Sequence, residues 1–325
     1  MALLTFTNKG IYCPQADVFI DPNRKVKRAI ITHGHSDHAK PGHSNYLCVK
    51  DSKNILQNRL GKINVETLPY CQSKTINGVK ISFHPAGHII GSAQVKLEYN
   101  GEVWVVSGDF KVEDDGISTP FEPVKCQHFI TESTFALPIY KWQKQSDVFK
   151  DFNEWWSSVK SLGKVAVVTA YSLGKAQRII ANVDNSIGAI YCHHTVQGMN
   201  EAIINSGINL PKTKLLPDKL SFEDSKGILI VGPFSQTNFK QINVGRAVEI
   251  ASMSGWNQLR NRRKNSSVDR AFTLSDHADW NGMNLAIQQS GAENIYVTHG
   301  YESAYANYLN QQGYKAQPIK INSWV

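Results

Sequence analysis

Ala29-Ile30-Ile31-Thr32-His33-Gly34-His35-Ser36-Asp37-His38 packs three histidines and an aspartate into six residues at the end of an apolar run. Imidazole and carboxylate are ligands for zinc and similar divalent ions, and a turn leaving a strand aims neighbouring side chains in different directions. Gly34 and Ser36 are small, so the backbone can turn tightly enough for His33 and His35 to face one metal while Asp37 and His38 face another. A lone histidine beside an apolar run reads as an ordinary core or surface group. Four candidate ligands in six residues do not. The same theme recurs downstream, where apolar stretches at residues 79–83, 102–106, 129–131 and 295–298 run on to His88, Asp109, Glu132 and His299.

With 325 residues and 41% apolar content, the chain has material for two domains, or for one large domain carrying an insertion. Lys and Arg number 35 against 27 Asp and Glu, and the pI near 9.1 favours polyanionic partners such as nucleic acid. The cysteines, Cys13, Cys48, Cys71, Cys126 and Cys192, are scattered and include no Cys-x-x-Cys, which suggests neither a disulfide framework nor a thiolate zinc knuckle. The first ten residues lack a basic region followed by an apolar core, and no apolar run approaches the length of a membrane span. The expectation is a soluble, cytoplasmic protein with no membrane partner.

Strands are expected at 29–32, 79–83, 94–99, 102–106 and 129–131, with a hairpin turned at Asn100-Gly101 and a weak helix at 53–60. After about Phe135 the pattern changes. Trp142, Phe149, Phe152, Trp155 and Trp156 read as the packing face of a helix, and strands near 164–170, 189–192, 227–231 and 247–251 alternate with helices at 173–183 and 196–205. The opening theme returns at Ser275-Asp276-His277 and at Thr298-His299-Gly300.

The His-x-His-x-Asp-His run, a later His after a strand, an Asp and a final His together resemble the metallo-β-lactamase superfamily. The resemblance implies a dinuclear centre of two divalent ions, zinc or manganese. His33, His35 and His88 would hold the first, Asp37, His38 and His299 the second, and Asp109 would bridge them; Asp21 would support the site from behind. An iron-based redox relative usually carries Glu where this chain has His35. The long α/β stretch between Glu132 and His277 resembles the insertion of the β-CASP nucleases, which implies an αββα sandwich from residues 1–134 and 271–325 with a cap domain at 135–270. On that resemblance a hydroxide held by the metals attacks the phosphodiester, with Asp37 helping to orient it. His277 protonates the leaving oxygen, and Glu132 orients its imidazole.

Thr131-Glu132-Ser133-Thr134-Phe135, Leu137-Pro138-Ile139-Tyr140, Leu173-Gly174-Lys175-Ala176-Gln177-Arg178, Ser254-Gly255-Trp256 and Leu274-Ser275-Asp276-His277-Ala278-Asp279-Trp280 look most like the bacterial ligase-associated DNA damage response exonucleases. That likeness implies an exonuclease acting on single-stranded DNA in repair, in association with an ATP-dependent DNA ligase and a helicase. Lys175 and Arg178, at the start of a helix, and Arg260, Arg262 and Arg263 are the candidate phosphate contacts; solvated surface charge is the plain alternative for each. His299 matches the form of the last motif seen in RNA-processing members, which keeps a β-CASP ribonuclease as the second reading. A small-molecule metallo-hydrolase, or an inactive nucleic-acid-binding subunit, comes third.

Overall fold

The computed structural model describes residues 2–233, 245–259 and 268–319. The chain is mixed α/β and divides into two compact units, Met1–Lys141 with His277–Val325, and Trp142–Asp276. Among the described residues no helix is long and apolar enough to cross a membrane.

The first unit is built on two sheets. One runs, in spatial order, β1 (Thr5–Thr7), β2 (Gly10–Cys13), β3 (Val18–Ile20), β4 (Arg28–Ile30), β5 (Asn45–Val49) and β6 (Val65–Leu68). The other comprises β7 (Ser73–Ile76), β8 (Val79–Pro85), β9 (Ala93–Tyr99), β10 (Glu102–Val106), β11 (His128–Ser133), β18 (Asn294–Gly300) and β19 (Lys315–Pro318), again as neighbours in that order. Their alternating apolar positions meet in one core: Ile11, Val18, Ile20, Ile30 and Leu47 from the first sheet cluster with Ile81, Phe83, Val95, Leu97, Trp104, Val106 and Ile130 from the second. Each sheet also has a covered outer face. Ala29, Ile31, Tyr46 and Cys48 pack with Leu56 of α1 (Lys53–Leu60). Val105, Phe129, Ile295 and Val297 pack with Met283 and Ile287 of α5 (Trp280–Ser290) and with Tyr305 and Leu309 of α6 (Glu302–Gln311).

Three local readings of the sequence have direct counterparts. The β9–β10 hairpin turns at Asn100 and Gly101, both at positive φ (49° and 83°), the conformation that a two-residue type I′ turn requires. Helix α1 covers the expected residues. Strand β4 ends at Ile30, so Thr32 and the histidines after it lie in the loop beyond its carboxyl end.

In the second unit, β14 (Lys214–Leu215), β13 (Ile190–Cys192), β15 (Leu229–Gly232), β12 (Val165–Thr169), β16 (Val248–Met253) and β17 (Arg270–Phe272) form a sheet in that order, with every pairing parallel. Strand β12 is buried on both faces, hence its unbroken Val-Ala-Val-Val run. One face packs on α2 (Gln145–Ser161) through Val148, Phe149, Phe152, Trp155, Trp156 and Val159, and on Ile179 and Ile180 of α3 (Lys175–Asn182) and Val196 of α4 (His194–Ile204). The other face buries Val165, Val167, Ile228 and Ile230 beneath Leu220. Trp142, expected on the face of α2, precedes that helix.

Candidate metal centre

The histidine run leaves β4 and is anchored on all sides. The Ile31 N–H donates to the Leu47 carbonyl (2.9 Å), Ala93 N–H donates to the Thr32 carbonyl (2.9 Å), and Ala39 N–H donates to the His35 carbonyl (2.8 Å). From α1, the Arg59 guanidinium donates to the Gly34 carbonyl. Behind the loop lies Asp21, fully buried at positive φ (44°); its carboxylate accepts the Thr32 N–H (2.8 Å) and hydroxyl (2.5 Å) and pairs with His38 Nδ1 (2.7 Å). Asp21 therefore fixes the ring of His38 and leaves Nε2 to face the centre.

His33 Nε2 and His88 Nε2 each stand 3.1 Å from His35 Nδ1, and they lie 3.5 Å and 3.7 Å from Asp109 Oδ2. Ligands held about 2.0–2.1 Å from a tetrahedral ion are about 3.3–3.4 Å apart. The four observed spacings bracket that value, so the donor set fits a divalent ion of the zinc type. The other oxygen of the same carboxylate, Asp109 Oδ1, lies 3.4 Å from His38 Nε2, which in turn is 3.7 Å from Asp37 Oδ2. Asp109 thus offers one oxygen to each of two ligand groups, His33/His35/His88 and Asp37/His38.

The charges explain why these groups tolerate burial. Burial pushes the Asp109 carboxyl up, but His38, His277 and His33 beside it prevail and hold it well below the usual carboxylate range. Burial, and then the charge of His38, push His33 well below the ordinary imidazole value, which leaves it neutral, the form that ligates metals. His38 is drawn down by burial and up by Asp109 and Asp21, and the two carboxylates win. The cluster draws positive charge between its carboxylates, as a cation site must.

Sheet register brings the remaining groups to the same edge. Strands β10, β11 and β18 are consecutive parallel neighbours, pairing Val106 with Ile130 and Ile130 with Tyr296, so the residues after them emerge side by side. Between Thr131 and Ser133 the register shifts, and β18 carries an extra residue opposite Glu132. His299 sits in that bulge at φ 54°, with its carbonyl accepting from the Ser133 hydroxyl (3.0 Å). Its ring centroid is 6.2 Å from that of His38. His299 is therefore beside His38, but outside the sets whose ligand atoms lie within 4.8 Å of one another.

Asp109, Glu132 and His277 form a third compact group. Glu132 is 2% exposed and engages His277 Nδ1 with both oxygens (2.8 Å and 3.0 Å); Oε1 also accepts the Phe110 N–H (2.9 Å) and Oε2 the Thr134 hydroxyl. The Phe110 carbonyl accepts from Ala278 N–H (2.7 Å), and the Asp279 carboxylate caps α5 at Gly282 N–H (2.8 Å), so the backbone just after His277 is held in place. The sequence assigns no role to Thr134, although it stands in the Thr131–Phe135 motif, and nothing in the spacing of Phe110 or Arg59 distinguishes them from ordinary loop and helix residues.

Two expectations about nucleic-acid contacts need correction. Lys175 and Arg178 are 5% and 2% exposed. Both pair with Asp276 (3.0 Å and 3.3 Å), and they donate to the Leu274 and Ser275 carbonyls. A buried cation needs a partner anion, and Asp276 supplies it here in place of a bound phosphate. Arg260, Arg262 and Arg263 lie outside the described residues.

No family model matches the chain. It is 26% identical over 314 residues to a probable DNA ligase of Opitutus terrae, an alignment that covers 95% of this chain and 30% of that protein. Cleavage and polyadenylation specificity factor 73 of Drosophila melanogaster is 26% identical over 122 residues, covering 37% of this chain and 18% of the relative. An RNase J-like protein of Methanocaldococcus jannaschii is 28% identical over 130 residues, covering 38% and 30%. The chain thus spans less than a third of the length of each. Among solved structures, a protein of unknown function from Enterococcus faecalis V583 shares the fold with a TM-score of 0.58 at 11% identity, covering 90% of this chain and 79% of that one. By its ordered motifs and by these relatives, the chain is a relative of the β-CASP nucleases of the metallo-β-lactamase superfamily.

Proposed function

We propose that this protein is a metal-dependent phosphodiesterase, an exonuclease acting on single-stranded DNA in repair. In this reading the two-sheet unit is the αββα sandwich of the superfamily, and the inserted unit, Trp142–Asp276, is the β-CASP cap expected at 135–270. The observation that carries the proposal is Asp109, whose two oxygens serve separate His/Asp groups while its carboxylate also borders the Glu132–His277 pair.

His33, His35, His88 and Asp109 would hold one divalent ion, and Asp37, His38 and Asp109 the other, with His299 alongside; zinc or manganese suits these donors. When bound, such ions neutralise phosphate charge and supply a nucleophile at neutral pH. The chain's own residues do the rest. Asp21 holds the His38 ring in orientation through Nδ1. Glu132, bonded to Nδ1 of His277, holds the ring in orientation and presents Nε2 as the donor of a proton to the departing 3′ or 5′ oxygen.

The ligase name of the Opitutus relative, aligned over nearly all of this chain, supports a DNA substrate and association with a DNA ligase; ATP dependence of that ligase and a helicase partner rest on the family resemblance alone. The RNase J-like relative supports the second reading, a ribonuclease. The test uses end-labelled single-stranded DNA and RNA of one sequence, with wild type and Asp109→Ala, in zinc and in manganese. Stepwise, metal-dependent shortening of DNA that disappears in the variant is the expected result. Cleavage of RNA alone would make the protein a ribonuclease, and cleavage of neither would refute the nuclease reading.

A further inference from the structure

Cys71, His84 and Glu122 carry no role in the centre described above, and no sequence motif joins them. In the first unit they converge. Cys71 Sγ lies 3.8 Å from His84 Nδ1 and 3.8 Å from Glu122 Oε2, and the three ligand atoms are within 4.8 Å of one another. An ion bonded to a thiolate at about 2.3 Å and to nitrogen or oxygen at about 2.0–2.1 Å sets sulfur about 3.5–3.6 Å from its fellow ligands. A few tenths of an ångström separate the observed spacings from that geometry.

The frame around these side chains is fixed. Cys71 N–H donates to the Phe83 carbonyl (2.8 Å), and Glu122 N–H donates to the Pro85 carbonyl (3.2 Å). The Glu122 carbonyl accepts from Nε2 of the fully buried Gln94 (2.7 Å). Cys71 takes a left-handed backbone (φ 62°), which costs a non-glycine residue energy. The decisive contact is at His84, whose Nε2 stands 3.1 Å from the hydroxyl of Ser82, itself 5% exposed. In metal sites a partner on one imidazole nitrogen fixes the tautomer and aims the other nitrogen at the ion. Here that other nitrogen faces the thiol and the carboxylate.

We infer that Cys71, His84 and Glu122 form a separate surface site for one divalent ion of the zinc type. Water, or a donor from a bound molecule, completes its coordination. The thiolate sets this site apart from the His/Asp centre, because sulfur selects borderline-soft ions and disfavours magnesium, calcium and manganese. Binding is a simple exchange: the Cys71 S–H bond breaks, its proton leaves to solvent, and sulfur bonds the ion with both electrons. The ion would clip the turn before β7 to the 120–122 segment. That segment lies against Gly87, the residue before His88: a side chain added at Gly87 would meet Phe121 N at 3.0 Å.

Cobalt(II) reads this site separately, because the other centre holds no sulfur and gives no thiolate band. The full chain, its His/Asp centre first loaded with zinc and excess metal removed, is titrated with cobalt while the near-ultraviolet thiolate-to-cobalt charge-transfer band is followed. The band should appear and saturate at one equivalent, be lost in Cys71→Ser, and need about 10- to 100-fold more cobalt in Ser82→Ala. Cys71→Ser should keep wild-type circular dichroism and nuclease activity. In a second measurement, excess zinc should slow alkylation of Cys71 by iodoacetamide at least tenfold. Absence of the band, its survival in Cys71→Ser, a stoichiometry of one ion per two chains, or zinc-independent alkylation would overturn the proposal.

Discussion

Glu132→Gln isolates the part of the site that acts through a charge rather than through a ligand. The amide matches the carboxylate in size. Its oxygen, in the place of Oε1, can still accept the Phe110 N–H and approach His277 Nδ1, while its NH2 group, in the place of Oε2, can donate to the Thr134 hydroxyl. The NH2 group replaces the oxygen that met His277 Nδ1 at 2.8 Å, so that ring keeps only the oxygen at 3.0 Å as its acceptor; the Phe110 and Thr134 partners are retained, so the fold should lose little. What disappears is the charge on the acceptor facing His277. A hydrogen bond to a charged group contributes about 1.5–3 kcal/mol and a neutral one about 0.5–1.5 kcal/mol, a difference of about 1–2 kcal/mol. At about 1.4 kcal/mol per tenfold, single-turnover cleavage of end-labelled DNA should slow roughly 5- to 30-fold. The p-nitrophenyl ester of thymidine 5′-phosphate provides the control, since its leaving group departs without a proton and its hydrolysis should barely change. Metal content, measured on the same sample, should match wild type. Equal slowing on both substrates, or loss of metal in step with activity, would refute the assignment of Glu132 to orienting a proton donor.

His277→Ala should reduce DNA cleavage by about 10²- to 10⁴-fold with both ions retained, and loss of metal alongside activity would make His277 a ligand instead. Asp109→Asn should lower metal stoichiometry at both His/Asp groups, as read by elemental analysis, because one carboxylate faces both; retention of two ions would end the bridging assignment. Gly87→Ala would place a methyl 2.2 Å from the Lys111 carbonyl oxygen at φ 70°, and overpacking with left-handed strain predicts a loss of about 2–5 kcal/mol in urea unfolding. Asp276→Ala leaves Lys175 and Arg178 buried without their shared anion, so unfolding should ease by about 3–5 kcal/mol, and a change below 1 kcal/mol would show that the pairing is not structural.

The corrections at Lys175 and Arg178 show where sequence reading misleads. A basic helix start after a strand reads as a phosphate cradle, yet the same residues serve equally well to neutralise an aspartate 98 positions beyond Arg178, and spacing along the chain contains no record of that partner. Trp142 errs the other way: its distance from Phe149 suits a helical face, but the helix begins at Gln145. Cys71, His84 and Glu122 were invisible as a group, because each comes from a different segment and no spacing along the chain links them.

What the sequence determined by itself was local. His33, His35, Asp37 and His38 are close because six residues in one turn cannot be far apart, and Asn100-Gly101 reverses the chain because those two residues accept positive φ. The apolar repeat of α2 likewise defines its buried face without outside help. Tertiary structure alone decided which distant groups join the turn. The parallel register of β10, β11 and β18 sets Asp109, Glu132 and His299 along one edge, and a single extra residue in β18 puts His299 beside His38 rather than within the compact ligand set. Periodicity specifies which side of an element is buried, whereas register between strands far apart in the chain depends on the whole packed core, and it is register that assembles the site.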